Sequence, residues 1–124
     1  MATLIIADDN AQMRWLVAAT LRDRFAHVVE AADGRELFRE LVRCSYTHDE
    51  AEVLVITDIR MPAYSGLDIL ATYDELQFHP VTVVMTSFPD EDAVAATALA
   101  GGVLIPKPFA TDELVRVVDR AYVR

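Results

Sequence analysis

Residues 53–58 read Val53-Leu54-Val55-Ile56-Thr57-Asp58, a short run of aliphatic and β-branched residues that ends in a carboxylate. A run of this kind is typical of a strand that is buried on both faces of a parallel sheet. Two other apolar runs also lead to charged residues, namely Leu4-Ile5-Ile6-Ala7 before Asp8-Asp9, and Val103-Leu104-Ile105 before Lys107. The chain therefore predicts several buried strands whose ends carry charge.

Segments with the apolar spacing of helices separate the strand-like runs. We predict strands over residues 3–7, 27–30, 53–57, 81–85 and 103–105, and helices over 10–24, around 37–42, around 69–76, over 90–100 and from 111 onward. The polar stretch 45–52 is predicted to be a loop. Five βα units in strict alternation favour an α/β fold, in which a doubly wound parallel sheet has helices on both faces. At this length we expect one domain over residues 1–124.

The composition limits the classes of protein to which the chain can belong. Its 53% of hydrophobic residues suffices for a compact core, and its apolar runs are far shorter than the roughly 18 residues of a membrane span. The N-terminal residues lack the pattern of a signal peptide, and the lone cysteine, Cys44, cannot form an internal disulfide. We therefore expect a cytoplasmic protein without membrane insertion. The net charge of −9 weighs against direct binding of nucleic acid by this domain.

Charged and polar side chains follow the predicted strands at their carboxyl ends. Parallel strands end at one edge of a sheet, and doubly wound folds bind ligands at that edge. The candidate residues there are Asp8, Asp9, Asp58, Thr86 and Lys107. Lys107 is the only lysine among the 11 lysine and arginine residues, which indicates a position that needs a compact ammonium group. We therefore expect one charged pocket at this edge.

Four motifs, in order along the chain, carry a resemblance to a known family. They are Asp8-Asp9, Asp58-Ile59-Arg60-Met61-Pro62 with Gly66 beyond it, Met85-Thr86-Ser87, and Lys107-Pro108-Phe109. With these motifs essentially the whole chain resembles the receiver domain of two-component response regulators. The resemblance implies a flavodoxin-like, five-stranded parallel sheet of order 2-1-3-4-5 with five helices. It also implies Mg²⁺-dependent transfer of phosphate to Asp58 from a histidine kinase or a histidine phosphotransfer protein.

The resemblance implies a role for each residue at this edge. Direct ligands of Mg²⁺, or of Mn²⁺ in its place, would be Asp9, Asp58 and the backbone carbonyl of Arg60, with Asp8 acting through water. Phosphate-binding and switch residues would be Thr86, Ser87 and Lys107, with a cis bond between Lys107 and Pro108. Arg60 and Phe88 occupy the positions from which the family tunes the loss of phosphate. These roles agree with the preference of Mg²⁺ for oxygen ligands and with the need of phosphoryl transfer for hydrogen-bond donors.

Leu104 departs from the family pattern, because it stands where receiver domains generally carry tyrosine or phenylalanine. Leucine has a smaller side chain and no hydroxyl, so we expect the switch to depend on shifts of the helix and loop over residues 93–101. The resemblance implies an output face made of the last helix, the fifth strand and the Ala-rich fourth helix. The downstream partner, either a separate protein or a fused effector, is not specified by the sequence.

Two other functions stay open at this point. The first is a small Mg²⁺-dependent phosphohydrolase with an aspartyl-phosphate intermediate, although such enzymes place their nucleophile after the first strand and Asp58 follows the third. The second is a degenerate receiver that acts only as a binding module, which the complete set of acids and lysine disfavours. We therefore expect a signalling domain, not an enzyme, that accepts phosphate and slowly loses it.

Overall fold

Five parallel strands form one sheet in the computed structural model, which describes residues 2–123. The strands are β1 (Thr3–Ala7), β2 (His27–Ala31), β3 (Val53–Asp58), β4 (Val81–Thr86) and β5 (Val103–Pro106). Their order across the sheet is β2-β1-β3-β4-β5, and each neighbouring pair is parallel. The predicted α/β class and the order 2-1-3-4-5 are confirmed.

Five helical segments cover the two faces of the sheet in the described part of the chain. They are α1 (Ala11–Leu21), α2 (Gly34–Thr47), α3 in two pieces (Gly66–Leu70 and Tyr73–Leu76), α4 (Glu91–Leu99) and α5 (Thr111–Val123). Helices α1 and α5 pack on one face, while α2, α3 and α4 pack on the other. Across residues 2–123, none of these helices has the length and apolar character that crossing a membrane requires.

The helix predicted around residues 69–76 is present in two pieces, because α3 is interrupted after Leu70. The hydroxyl and the amide of Thr72 both donate to the carbonyl of Ile69, at 2.7 and 3.0 Å. This carbonyl would otherwise accept from the amide of Tyr73, four residues on. A threonine that bonds back to the helix backbone in this way competes with the regular helical ladder.

The predicted loop over residues 45–52 is also partly wrong, because α2 continues through Thr47 and Glu50–Glu52 forms a short 3-10 helix. The hydroxyls of Ser45 and Thr47 donate to backbone carbonyls of the preceding helical turn. Cys44 is fully buried on the same helix, and burial raises the pKa of its thiol. The helix therefore runs to Thr47, and polar residues that suggested a loop bond to its backbone.

The register of the central strands brings the acidic residues to one edge. Every residue of β1 and β3 is buried. Ala7 of β1 pairs with Thr57 of β3, and Asp58 pairs with Met85 of β4. Both strands therefore end side by side, and helix α1 begins only a few residues after β1. The side chain of Asn10 caps this helix, so Asp8 and Asp9 are held in a short turn.

A buried hydroxyl pair joins α3 to β4 and gives a first prediction. Tyr73 is 1% exposed, and its hydroxyl lies 2.8 Å from that of Thr82, which donates in turn to the carbonyl of Pro80. Burial raises the pKa of Tyr73 far above its ordinary value, so the phenol stays protonated and donates to Thr82. We expect Tyr73→Phe to lower the free energy of unfolding by about 1 kcal/mol, the usual net worth of one hydrogen bond.

Urea unfolding of the purified protein would measure this change. Tyr46→Phe is the matched control, because Tyr46 is 86% exposed and the loss of its hydroxyl should leave the unfolding midpoint where it is. Equal midpoints for Tyr73→Phe and the wild type would show that the buried pair adds no stability.

Candidate functional site

Lys107 joins two acidic residues at the carboxyl edge of the sheet. Its Nζ atom lies 2.7 Å from Oδ2 of Asp8 and 3.2 Å from Oδ2 of Asp58. Asp9 completes the group, since one carboxylate oxygen each from Asp8, Asp9 and Asp58 lie within 4.8 Å of one another. Asp8 is 0% and Asp58 is 9% exposed, whereas Asp9 lies at the exposed rim. The structure thus brings together the three acids and the lysine that the sequence predicted for one pocket.

Hydrogen bonds hold Asp8 in place at both its side chain and its backbone carbonyl. Its Oδ1 atom accepts from the amide of Asn10 at 2.9 Å, and its backbone carbonyl accepts from Nη1 of Arg14 at 2.8 Å. Arg14 also pairs with Glu30 of β2 at 3.0 Å. Arg14 was not predicted from the sequence, because a single arginine in a helix does not reveal which backbone carbonyl it binds.

Asp58 has one carboxylate oxygen bound locally and the other directed toward Lys107. The amide of Ile59 donates to Oδ1 at 2.7 Å, and the hydroxyl of Thr57 donates to the backbone carbonyl at 2.8 Å. Burial raises the pKa of Asp58 above its ordinary value of 3.8. The positive charge of Lys107 lowers this pKa, but burial and the negative charge of Asp8 together outweigh it. The folded protein therefore makes ionisation of Asp58 harder, unless further positive charge is supplied.

Lys107 is held by backbone contacts at the end of β5. Its amide donates to the carbonyl of Thr86 at 2.7 Å, and the predicted cis peptide bond between Lys107 and Pro108 is confirmed. Burial by itself would lower the pKa of the ammonium, but the hydrogen bond to Asp8 and the charge of Asp58 outweigh it, so the pKa is raised. Lys107 is therefore a charged ammonium group at neutral pH.

The remaining predicted residues lie at or just beyond the ends of β3 and β4, at the same edge of the sheet. Thr86 is 2% exposed, and its hydroxyl accepts from the amide of Phe88 at 3.0 Å, while Ser87 lies at the surface. The guanidinium of Arg60 stacks over the ring of Phe88, 5.3 Å from its centroid. The resemblance assigned Arg60 and Phe88 the same role, but their contact was not predicted because it joins two segments distant in sequence.

The donor set of the pocket suits a hard divalent cation. Carboxylate oxygens from three residues converge there, and such oxygens are the ligands that Mg²⁺ and Mn²⁺ take in proteins. One ammonium group faces three carboxylates, so negative charge is in excess. The fold and the pocket together define an α/β domain with an acidic site at the carboxyl edge of its parallel sheet.

The chain belongs to the response regulator receiver domain family, whose sequence model matches residues 4–119. The DNA-binding transcriptional regulator NtrC of Klebsiella pneumoniae is 34% identical over 119 residues, which are 94% of this chain and 24% of NtrC. The transcriptional regulatory protein PdtaR of Mycobacterium tuberculosis is 32% identical over 123 residues, 98% of this chain and 57% of PdtaR. The chain thus spans about a quarter of NtrC and little more than half of PdtaR.

A solved structure of another protein has the same fold as this chain. The chemotaxis protein CheY4 of Vibrio cholerae superposes with a TM-score of 0.79 and 25% identity, over 98% of each chain. Its similarity covers nearly the whole described chain, including the strand order. The fold that the resemblance implied is therefore that of known receiver domains.

The raised pKa of Asp58 predicts how stability depends on pH. Because the folded protein binds the Asp58 proton more tightly than the unfolded chain does, ionisation costs stability as the pH rises from about 4 through the folded pKa, and this cost is complete above it. Asp58→Asn removes this cost. In metal-free buffer near neutral pH, we therefore expect the variant to melt at a higher temperature than the wild type.

Thermal melts over a series of pH values would measure the difference in Tm, which should shrink toward acid pH. Asp23→Asn is the control, because Asp23 is an exposed acid in the 3-10 turn after α1 and its neutralisation should give no such pH-dependent gain. If the Tm difference between Asp58→Asn and the wild type is the same at acid and neutral pH, the pKa of Asp58 is not raised in the folded protein.

Proposed function

We propose that residues 1–124 act as a single receiver domain, the phosphoacceptor switch of a two-component phosphorelay. The observation that carries the proposal is the arrangement of Asp58, a largely buried carboxylate 3.2 Å from the ammonium of Lys107 and clustered with Asp8 and Asp9. The proposed donor of phosphate is the phosphohistidine of a histidine kinase or a histidine phosphotransfer protein. Membership of the receiver family supports this assignment.

The acidic cluster is proposed to hold Mg²⁺, for which Mn²⁺ can substitute. Asp9 and Asp58 offer carboxylate oxygens, and the backbone carbonyl of Arg60 offers a third hard ligand. Asp8 is proposed to act through water, as the resemblance to receiver domains implies. When bound, the ion would offset the excess negative charge and give phosphate oxygens a place to bind.

In the proposed transfer, one carboxylate oxygen of Asp58 attacks the phosphorus atom. The bond from phosphorus to the imidazole nitrogen breaks, and its electron pair stays on the nitrogen. The equatorial oxygens need donors, which are the ammonium of Lys107, the hydroxyl of Thr86 and the nearby amide of Ser87. The hydroxyl of Thr86 accepts from the amide of Phe88 and so keeps its own proton for phosphate. The protein contributes mainly position and charge, which is most of what phosphoryl transfer requires.

Phosphorylation is proposed to change the face formed by α4, β5 and α5. A shallow groove of about 480 Å³ on this face is lined by Leu104 together with Val94, Thr97, Ala98, Gly102, Val103 and Arg120. A tyrosine or phenylalanine ring in place of Leu104 would fill more of this groove. We therefore expect the switch to rely on displacement of residues 93–101, and not on the rotation of a ring.

The partners are proposed from the family and from charge. A histidine kinase or phosphotransfer protein supplies phosphate, and a downstream protein or a fused effector receives the signal. NtrC and PdtaR are named as transcriptional regulators and are longer than the matched region, which favours an effector outside this domain. With its net charge of −9, the domain itself is not expected to bind nucleic acid. We propose a cytoplasmic location without membrane insertion.

Incubation with Mg²⁺ and acetyl phosphate tests the proposed function. We expect one phosphate to be added to Asp58 and to be lost slowly, because the carboxylate is an activated nucleophile within a charged pocket. Intact-protein mass spectrometry, followed by mapping of the acyl phosphate, would count the groups added and locate them. Asp58→Asn should accept none, and Asp119→Asn, a change of an exposed acid on α5, should behave as the wild type.

Two outcomes would contradict the proposal. Rapid multiple turnover of varied phosphate esters would favour a phosphohydrolase. If the wild-type protein binds a partner but takes up no phosphate, the result would favour a domain that acts only as a binding module.

Phe88 gives a second prediction about the phosphorylated state. Its side chain is 59% exposed and lies against the guanidinium of Arg60, and we propose that the pair restricts the approach of water to phosphorylated Asp58. We expect Phe88→Ala to speed the loss of phosphate several-fold, measured by quenching the phosphorylated protein over time. Trp15→Ala is the control, because Trp15 is a 68% exposed aromatic residue on α1. An unchanged rate in Phe88→Ala would argue against shielding by this ring.

A further inference from the structure

The loop that follows Asp58 is closed at its base by a glycine. It spans residues 59–65 and contains Arg60. The amide of Gly66, just beyond it, donates to the carbonyl of Ile59 at 2.7 Å. A Cβ atom on Gly66 would stand 2.3 Å from the backbone carbonyl oxygen of Asp58, so only glycine permits this approach. The two ends of the loop are therefore held together tightly.

The tip of the same loop lies against a second glycine, Gly34, at the start of α2. The amide of Gly34 donates to the carbonyl of Pro62 at 3.1 Å. A Cβ atom on Gly34 would stand 2.0 Å from the carbonyl oxygen of Tyr64 and 2.7 Å from its Cβ. Side chains do not tolerate such distances, so any other residue at position 34 must move the tip.

The tip itself is strained. The amide of Tyr64 donates back to the carbonyl of Pro62 at 3.0 Å, which closes a three-residue γ-turn around Ala63 with a φ of 70°. A turn of this hand is rare, and a positive φ is unfavourable for a residue with a side chain. Such strain persists only where the surroundings hold it in place. Gly34 supplies that hold, because its amide shares the same acceptor on Pro62.

We propose that Gly34 is a positioning residue for the metal- and phosphate-binding pocket. Arg60 lies between the two held points, Ile59 at the base and Pro62 at the tip, so both contacts determine where its backbone carbonyl points. The inference rests on the proposed function, in which this carbonyl is a ligand of Mg²⁺. A displaced tip would turn the carbonyl away from the carboxylates, whose own positions depend on β1 and β3.

Gly34→Ala is therefore expected to weaken Mg²⁺ binding by about tenfold or more, the usual effect of removing a support behind a metal ligand. Calorimetric titration with Mg²⁺ would measure this at a temperature where circular dichroism shows the variant to be folded. In metal-free protein, the amide of Tyr64 should also exchange its hydrogen faster. Gly102→Ala is the matched control, because its Cβ would crowd the carbonyl of Thr82 at 3.0 Å at the opposite edge of the sheet. The control should lose stability and keep the wild-type Mg²⁺ affinity.

A second variant keeps the test decisive if Gly34→Ala does not fold. Adding Ala63→Gly relieves the positive φ and lets the tip move away, so the double variant should regain stability without regaining Mg²⁺ affinity. If the folded Gly34→Ala protein or the double variant keeps the wild-type affinity for Mg²⁺, only the role proposed for Gly34 is overturned. Absence of Mg²⁺ binding by the wild-type protein would overturn this role together with the proposed function.

Discussion

Three carboxylates face one ammonium group at the carboxyl edge of the sheet, and this excess of negative charge is the constraint on which the rest of the site depends. Lys107 spans Asp8 and Asp58, so a single positive charge is shared between two acids while Asp9 stays at the exposed rim. Burial makes the imbalance costly, as the raised pKa of Asp58 shows. A divalent cation is the simplest partner that balances the pocket, and it would enter from the side of Asp9.

The fold holds these charges together by fixing the backbone around them. The fully buried strands β1 and β3 end side by side, and the cap at Asn10 turns the chain into α1 at once. Arg14 holds the backbone carbonyl of Asp8. The loop after Asp58 is closed by close backbone contacts at Gly34 and Gly66. The buried strand ends and the glycine contacts thus hold the backbone of the pocket in place, while its outer side is open to ligands and partners.

Much of this arrangement could be predicted from the sequence, because strand ends and charge follow local patterns. The apolar runs that lead to Asp8, Asp58 and Lys107 predicted the shared edge, and the four motifs predicted the strand order through the family resemblance. The break in α3 could not be predicted, because it depends on which carbonyl the hydroxyl of Thr72 selects. The contact of Gly34 with the loop tip was also missed, since two segments distant in sequence approach there without any periodic signal.

Anomalous diffraction from crystals soaked in Mn²⁺ tests the central claim most directly, because it locates a divalent cation without assuming any activity. The charge balance of the pocket predicts one strong peak bounded by the carboxylates of Asp9 and Asp58 and the backbone carbonyl of Arg60. A peak elsewhere on the surface, or an acidic pocket in which Lys107 alone contacts Asp58 at saturating Mn²⁺, would contradict it.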